Sequence, residues 1–528
     1  MGPPAPERVT EAPTARIAGA AAVITILTVV ARIAGFGRTF VFLHTVGHDG
    51  LGNVYTAANT IPNIVFELVA GGALASLVVP LLAGAVAAGD RERVNAVTSA
   101  LLTWVLVLLV PIAVIVALAA GPIAGLLPDV PVEHQEVAAR MLRVFAPQLP
   151  LYGLGIVLTG ALQAHHRFAW PVIAPLLSSV TVMAAYLSYA VADGRYSDFA
   201  GLTRTGELFL SVGTTAGVVV LAGCLIIPLR RLDVRLRPRL RFPGDEGRRA
   251  VRLGWAGAVT VGSQQVMTAV VVALTAGSSL VLFSTAQTVF LLPWAVLAVP
   301  LATAAYPSLA AAAGNHDAAA YDRVLAGTAR SVVLLAGLGA AALAGLAIPV
   351  AYLVGAAPAA SAIAGFAPGL FGYALFALLS RALYARGATA AAAACTAIGW
   401  GVAALAALIF SGRHVYALGL ANALGMTVIG VLLVLAVRRT AGAGALRGLS
   451  RATAAGIVAA GAAALAGWGT VVAIGHGFGA TPAVAGSLVQ GMLGGAAVAV
   501  VYAAVALGLD SRDVRPLAET LVRRVRRR

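Results

Sequence analysis

FAPQLPLYGLGIVLTGALQAH at residues 145–165 and FAPGLFGYALFALLSRALYAR at residues 366–386 decide how this chain is built. Aligned at a spacing of 221 residues, ten of the 21 positions are identical, among them Phe145/Phe366, Ala146/Ala367, Pro147/Pro368 and Tyr152/Tyr373. Abundant alanine and leucine inflate such a score, but Phe-Ala-Pro with a tyrosine at a fixed distance is not a composition effect. Each copy belongs to an apolar run of bilayer-spanning length, about 20 residues. Working outward, further runs centre near residues 25, 70, 107, 152, 180, 217, 262, 296, 337, 374, 399, 426, 462 and 496. They predict an all-α polytopic membrane protein of about fourteen transmembrane helices, with two pseudo-symmetric six-helix lobes followed by two C-terminal helices. The copies fall in the fourth and tenth spans, so both cross in the same direction. Parallel repeats are related by an axis along the membrane normal, with a transport site between the halves.

Composition agrees. Of 528 residues 60% are apolar and 11% charged, with a mean hydropathy of +0.93, against about 25% charged in soluble domains. The net charge is +16, but the basic residues sit in short segments between apolar runs, which suits anionic phospholipids and argues against nucleic acid. All 36 basic residues are arginine, which excludes Schiff-base lysine chemistry and a Walker-type phosphate loop. Cys224 and Cys395 lie far apart in apolar stretches and offer neither a disulfide framework nor a metal site. No HExxH, GxSxG or intramembrane carboxylate pair is present, so no enzyme, cofactor or metal is expected.

With a cytoplasmic N-terminus, 27 arginines fall in inner segments, six in outer ones, and Arg32, Arg330 and Arg381 within or at the edge of spans. This bias predicts an even helix count with both termini inside. The first run lacks a small-residue cleavage site and reads as a helix. The expected organisation is an N-terminal lobe over 1–229, a basic linker over 230–252 (RRLDVRLRPRLRFPGDEGRRAVR), a C-terminal lobe over 253–440, two helices over 441–509 and a basic tail over 510–528. The linker reads as a loop on the headgroups, and the tail as a short basic amphipathic helix on the inner leaflet.

Ionisable groups within spans cost about 2.5–3.5 kcal/mol at a helix centre, so each needs a reason. Arg32 and Arg381 either snorkel or serve a site. Glu67, beside Asn59, Pro62 and Asn63, reads as a partner of Arg32, a proton-linked carboxylate or an isolated neutral acid. Pro62 and the pair Gly71-Gly72 predict a bent or unwound second span, which acts as a gate or allows close packing. His165 and His166 read as a solvated helix end. A fainter echo joins Val79-Pro80-Leu81 to Val299-Pro300-Leu301, with Pro307-Ser308-Leu309 competing for the same register.

Four segments in order resemble the MurJ/MviN family, the lipid II flippases of the multidrug/oligosaccharidyl-lipid/polysaccharide exporter superfamily. They are ARIAGFGR at 31–38, ANTIPNIVFELVAGGALASLVVP at 58–80, RVFAPQLPLYGLGIVLTGALQAHHRFAWPVIAP at 143–175 and GYALFALLSRALYAR at 372–386. The resemblance implies transport of undecaprenyl-pyrophosphate-linked disaccharide-pentapeptide across a bacterial plasma membrane by alternating access. It makes Arg32, Arg38 and Arg381 head-group candidates, with Asn63 and Glu67 beside them. Guanidinium suits pyrophosphate because it donates paired hydrogen bonds. The chain departs from the family where Phe66-Glu67 replaces two arginines, Gly71 replaces a glutamate, and Gln287-Thr288 replaces an aspartate-arginine pair. Its cavity is therefore expected to be less cationic. The rival expectations are export of another polyprenyl-linked saccharide or a drug-like cation, and a non-transporting scaffold for cell-wall synthesis proteins.

Overall fold

The computed structural model describes residues 12–127, 130–165, 167–196, 199–232, 236–244, 246–275, 279–410, 415–478 and 484–526. Arg8, His166, Arg235, Arg527 and Arg528 lie outside the described residues. No strand occurs among those described.

The helices run α1 Ala12–Thr45; α2 Gly50–Phe66, continued by a π turn Glu67–Gly71 and by Gly72–Ala87; α3 Arg91–Leu118; α4 Val132–Phe145 with Gln148–Ala164; α5 Ala169–Ala192; and α6 Arg204–Cys224. The chain continues with α7 Glu246–Leu274; α8 Ser279–Pro293, a π turn Trp294–Ala298 and Val299–Gly314; α9 Ala318–Gly345; α10 Ala360–Phe366 with Gly369–Ala385; α11 Thr389–Ile409; α12 Val415–Ala441; α13 Leu449–Phe478; and α14 Val484–Arg526. Eleven helices among the described residues are long and apolar enough to cross a membrane, twelve if α10 counts as one span, and α1 and α2 fall outside that tally. The count by this measure among the described residues is twelve at most, against the fourteen expected. Large apolar side chains such as Leu118 (79% exposed) and Met492 (74% exposed) face outward, as a lipid solvent requires.

The repeat is written in the backbone. Phe145 and Phe366 are both fully buried, and each precedes an Ala-Pro joint between two helical pieces. Proline supplies no N–H there and starts the next helix with its φ preset. Earlier elements repeat at 227 residues: the π turns at Glu67 and Trp294, the starts of α3 and α9 at Arg91 and Ala318, and the short helices Ala120–Gly125 and Ala347–Leu353. Asp90 and Asp317, also 227 apart, each cap their helix by accepting from the backbone N–H of Arg93 and Ala320, both at 2.9 Å. That register pairs Pro80 with Pro307. Of the two proline alignments the sequence offered, the structure therefore selects Pro307 over Pro300.

Matching pairs pack within each half: α1 on α5, α5 on α6 and α3 on α4, against α7 on α11, α11 on α12 and α9 on α10. α10 and α12 meet so closely at glycines that a side chain on Gly372 would strike the backbone of Met426 and Thr427, and one on Gly430 the backbone of Gly372. The halves meet where α2 touches α7 and where α1 and α2 touch α8. α13 and α14 pack on each other and on α9. α14 kinks at Asp510, where Asp513 accepts from Arg330 of α9 and Arg451 of α13, both at 2.9 Å, and Asp510 lies 3.0 Å from Arg451. Between α6 and α7, the linker backbone is hydrogen-bonded to α3: Arg237 N–H donates to Ser99 Oγ (3.1 Å), Arg239 N–H to Thr103 Oγ1 (3.0 Å), and Trp104 Nε1 to the Leu240 carbonyl (2.9 Å).

Candidate functional site

A cleft lies between the halves, walled by α1, α5 and α6 on one side and α8 on the other. Its larger part, about 520 Å³, is lined by Arg32, Gly35, Arg38, Thr39, Ser178, Ser179, Thr288 and Leu291, among others. The spacing on α1 explains the lining: Ala31, Gly35 and Arg38 form one row and Arg32, Gly35 and Thr39 its neighbour, three or four residues apart along one face. Gly35 leaves the gap between the arginines open, since a side chain there would meet nothing within 4 Å. Both arginines are exposed. Arg32 is in electrostatic reach of Tyr373 of α10, and Arg38 of Tyr55, Tyr152 and Tyr186.

A smaller pocket of about 170 Å³ adjoins it, sharing Arg38, Thr39 and Thr288. α2 contributes Tyr55, Thr56, Asn59 and Thr60 to its wall, α5 and α6 contribute Tyr186 and Thr214, and α8 contributes Ser284 and Thr285. Sequence reasoning missed most of these residues. A signal existed: Thr56, Asn59, Thr60, Asn63 and Glu67 form one polar stripe at three- and four-residue spacing in an otherwise apolar helix.

The remaining candidates lie apart from the two arginines. Asn63 lines neither pocket and donates from Nδ2 to the Asn59 carbonyl at 2.9 Å. Glu67 is half-buried at the start of the π turn, and among the described residues it forms no ion pair. Of the three readings of Glu67, the bridge to Arg32 does not form: Arg32 faces the cleft, while Glu67 sits beside Phe66, whose ring packs on Tyr152 at 5.5 Å. Pro62 is buried inside Gly50–Phe66, and the helix stays continuous past it; the irregularity comes later, in the turn ending at Gly71, with Gly72 opening the next helix. Arg381 lines neither pocket and donates to the Ala377 carbonyl of its own helix at 2.5 Å. His165 closes its helix by a 2.8 Å contact of Nδ1 with the Ala161 carbonyl.

A second ionic centre went unread in the sequence. Glu207 of α6, with 5% of its side chain exposed, accepts from Arg140 Nε and Nη2 at 3.0 and 2.8 Å and from Arg204 Nη1 at 2.8 Å. It ties α4 to α6 near the Arg204 end of α6.

A polytopic helical bundle with repeated halves and a polar cleft between them has the architecture of a membrane transporter. The family described as lipid II flippase MurJ matches residues 42–487, and the chain belongs to that family. It is 30% identical over 235 residues to a probable lipid II flippase MurJ of Synechocystis sp., covering 43% of this chain and 43% of that protein. It is 26% identical over 385 residues to a lipid II flippase MurJ of Burkholderia cenocepacia, covering 68% and 71% respectively. The fold is similar to a solved structure of lipid II flippase MurJ in an inward closed conformation, with a TM-score of 0.70 at 15% identity, covering 92% of this chain and 98% of that one. It is also similar to an inward-facing multidrug resistance MATE family transporter of the MOP superfamily, with a TM-score of 0.60 at 16% identity over 80% and 94% of the two chains.

Proposed function

We propose that this protein carries lipid II from the inner to the outer leaflet of a bacterial plasma membrane, the lobes 1–229 and 253–440 rocking about the cleft. The observation that carries the reading is the placement of Arg32 and Arg38 on one open face of α1, bordering a cleft between the halves. Two guanidinium groups there meet a pyrophosphate with charge-assisted, paired hydrogen bonds. The same pair repels a cation, which disfavours a cationic drug as cargo. Asn63 and Glu67, with Pro62, Gly71 and Gly72, belong to the part of α2 that changes shape as the lobes move; the π turn, which touches α7 of the other half, supports this. Arg381 serves the C-terminal half. Both termini are cytoplasmic in this reading, and the exposed Arg237, Arg239 and Arg241 of the linker rest on anionic phospholipids.

The test is the accessibility of lipid II to an outside-acting, lipid II-cleaving toxin in cells where this protein is the sole flippase. With wild-type protein the lipid is cleaved, and with Arg32→Ala, at equal membrane abundance, it is protected. Cleavage in cells lacking the protein altogether removes lipid II as its required cargo.

A further inference from the structure

The connection between the halves is built as a strap. Arg237 and Arg239, two residues apart, donate their backbone N–H groups to Ser99 and Thr103, four apart on α3. Two residues of extended chain advance about 6.6 Å and four of helix about 6 Å, so the two repeats run in register. The intervening N–H of an extended chain would point away from α3, and there the sequence has Pro238, which lacks one. Trp104 Nε1 closes the array on the Leu240 carbonyl. Trp104 also marks the depth: α3 is mostly buried from Val94 to Leu102, whereas Trp104, Leu106, Val107 and Leu108 are exposed. An indole at such a boundary sits at headgroup level, and the strap lies there with it.

The alternation of an extended chain gathers Arg237, Arg239 and Arg241 on one face and Leu236, Pro238 and Leu240 on the other. All six are exposed, and among the described residues none of the three guanidinium groups pairs with a carboxylate. A row of free guanidinium groups at headgroup depth, backed by apolar side chains, suits the phosphate of a lipid. Pinned to α3, the strap belongs to the N-terminal half, and only residues 242–245 separate it from α7 at Glu246, about 17 Å of chain at full stretch. Released, the chain from Leu232 to Glu246 reaches about 48 Å. We infer that the strap is a lipid-held latch: an anionic phospholipid headgroup bridging Arg237, Arg239 and Arg241 keeps residues 236–241 on α3 and so shortens the tether that limits how far the halves rock. The inference rests on the inner-leaflet placement of the linker in the flippase reading and adds a regulation to it, since the composition of that leaflet then sets the reach of the stroke.

The experiment follows amide hydrogen exchange at Arg237 and Arg239 in the full-length protein, reconstituted in nanodiscs of phosphatidylcholine or of phosphatidylcholine mixed with phosphatidylglycerol. Both amides must leave α3 to exchange, and wild type is expected to exchange about fivefold more slowly in the anionic bilayer, the gain of roughly one arginine at a charged surface. The triple variant Arg237→Gln/Arg239→Gln/Arg241→Gln, which keeps the backbone hydrogen bonds, is expected to exchange alike in both bilayers. Ser99→Ala/Thr103→Val, which removes the acceptors, is expected to exchange fast in both. Equal rates for wild type in the two bilayers, or a slowing that survives in the triple variant, overturns the latch. So does the same slowing in Ser99→Ala/Thr103→Val, which would assign it to the charge of the surface. Inorganic phosphate that slows exchange as much in phosphatidylcholine alone overturns the lipid as the occupant. Exchange is read without cargo, so its failure leaves the flippase reading standing, and the toxin assay can fail while the latch holds.

Discussion

α2 and α8 share one backbone and differ in what they display. Both run into a π turn, at Glu67–Gly71 and Trp294–Ala298, and both carry a proline later in the helix, Pro80 and Pro307. At the shared spacing of 227 residues, however, Asn59 faces Ala286 in the alignment, Asn63 faces Phe290 and Glu67 faces Trp294. The N-terminal copy is a polar stripe with a tyrosine–threonine cluster beside it. The C-terminal copy is an aromatic stack in which Trp294 lies on Tyr373 at 4.8 Å and donates from Nε1 to its carbonyl at 3.0 Å, with Phe290 and Phe366 packed behind. The lesson is that the two copies diverge at the turn itself: α8 still supplies Ser284, Thr285 and Thr288 to the pocket, but where α2 carries Glu67 it packs Trp294 on Tyr373. The charge of the cleft, Arg32 and Arg38, also comes from the N-terminal half.

The comparison breaks most visibly at the arginines. Arg38→Ala is expected to weaken binding of pyrophosphate-bearing lipid by about 10- to 100-fold, the range of a lost charge-assisted hydrogen bond. Arg381→Ala is expected to change it less than threefold, since that side chain bonds its own helix and a threefold change is about 0.7 kcal/mol. A lipid-binding assay on both variants checks this, and equal losses would mean that the halves share the charge. Next comes the aromatic stack. Trp294→Ala is expected to lower stability by about 3 kcal/mol, whereas Glu67→Leu, which removes a carboxyl with no ion partner among the described residues, leaves stability unchanged or raised. Thermal unfolding in detergent reads both, and a large loss in Glu67→Leu would reveal a buried partner. Glu207→Gln should cost about 2 kcal/mol by loosening Arg140 and Arg204. No such tie is expected in the other half, because α12 carries no acidic residue.

Much of this was legible before any coordinates. The Phe-Ala-Pro repeat, the apolar runs and the arginine bias led to a two-half helical membrane protein, and the resemblance to the MurJ/MviN family singled out Arg32 and Arg38, both of which line the cleft. Other features were hidden for physical reasons. A π turn adds one residue to a helical turn without changing composition, so the bend or unwinding read from Pro62 and Gly71-Gly72 had no exact place until the structure put it at Glu67–Gly71. The Glu67–Arg32 bridge, one of three readings of Glu67, rested on charge in a common medium, but side-chain direction is set by rotation about each helix, and that rotation puts Arg32 into the cleft and Glu67 beside Phe66. The smaller pocket was missed because its polar residues come from α2, α5, α6 and α8, and only tertiary packing assembles them. The 227-residue register was obscured because the first piece of α4, Val132–Phe145, is seven residues longer than that of α10, Ala360–Phe366, while the connection before it is one residue shorter, and the net six residues shift the later repeat to 221.

The smallest effect is the sharpest check on that register. Asp90 and Asp317 occupy equivalent N-caps, each accepting one backbone N–H at 2.9 Å, and the residue before each is in the left-handed region, Gly89 at φ 69° and His316 at φ 55°. Replacing an N-cap aspartate by alanine leaves a helix-end N–H without its protein partner and costs about 1 kcal/mol. Since these caps share geometry and lie on surface turns, Asp90→Ala and Asp317→Ala should each lower stability by about that amount and add in the double variant. The flanking residues set a second, opposite asymmetry. Gly89 adopts its φ without a Cβ clash, whereas His316 bears a cost of about 1–2 kcal/mol, so His316→Gly should recover part of the loss while Gly89→His should deepen it. If the two cap variants differ by more than about 1 kcal/mol, beyond the spread of cap energies in matched contexts, the halves are alike in outline only. The repeat would then describe the path of the chain and not the forces that hold it.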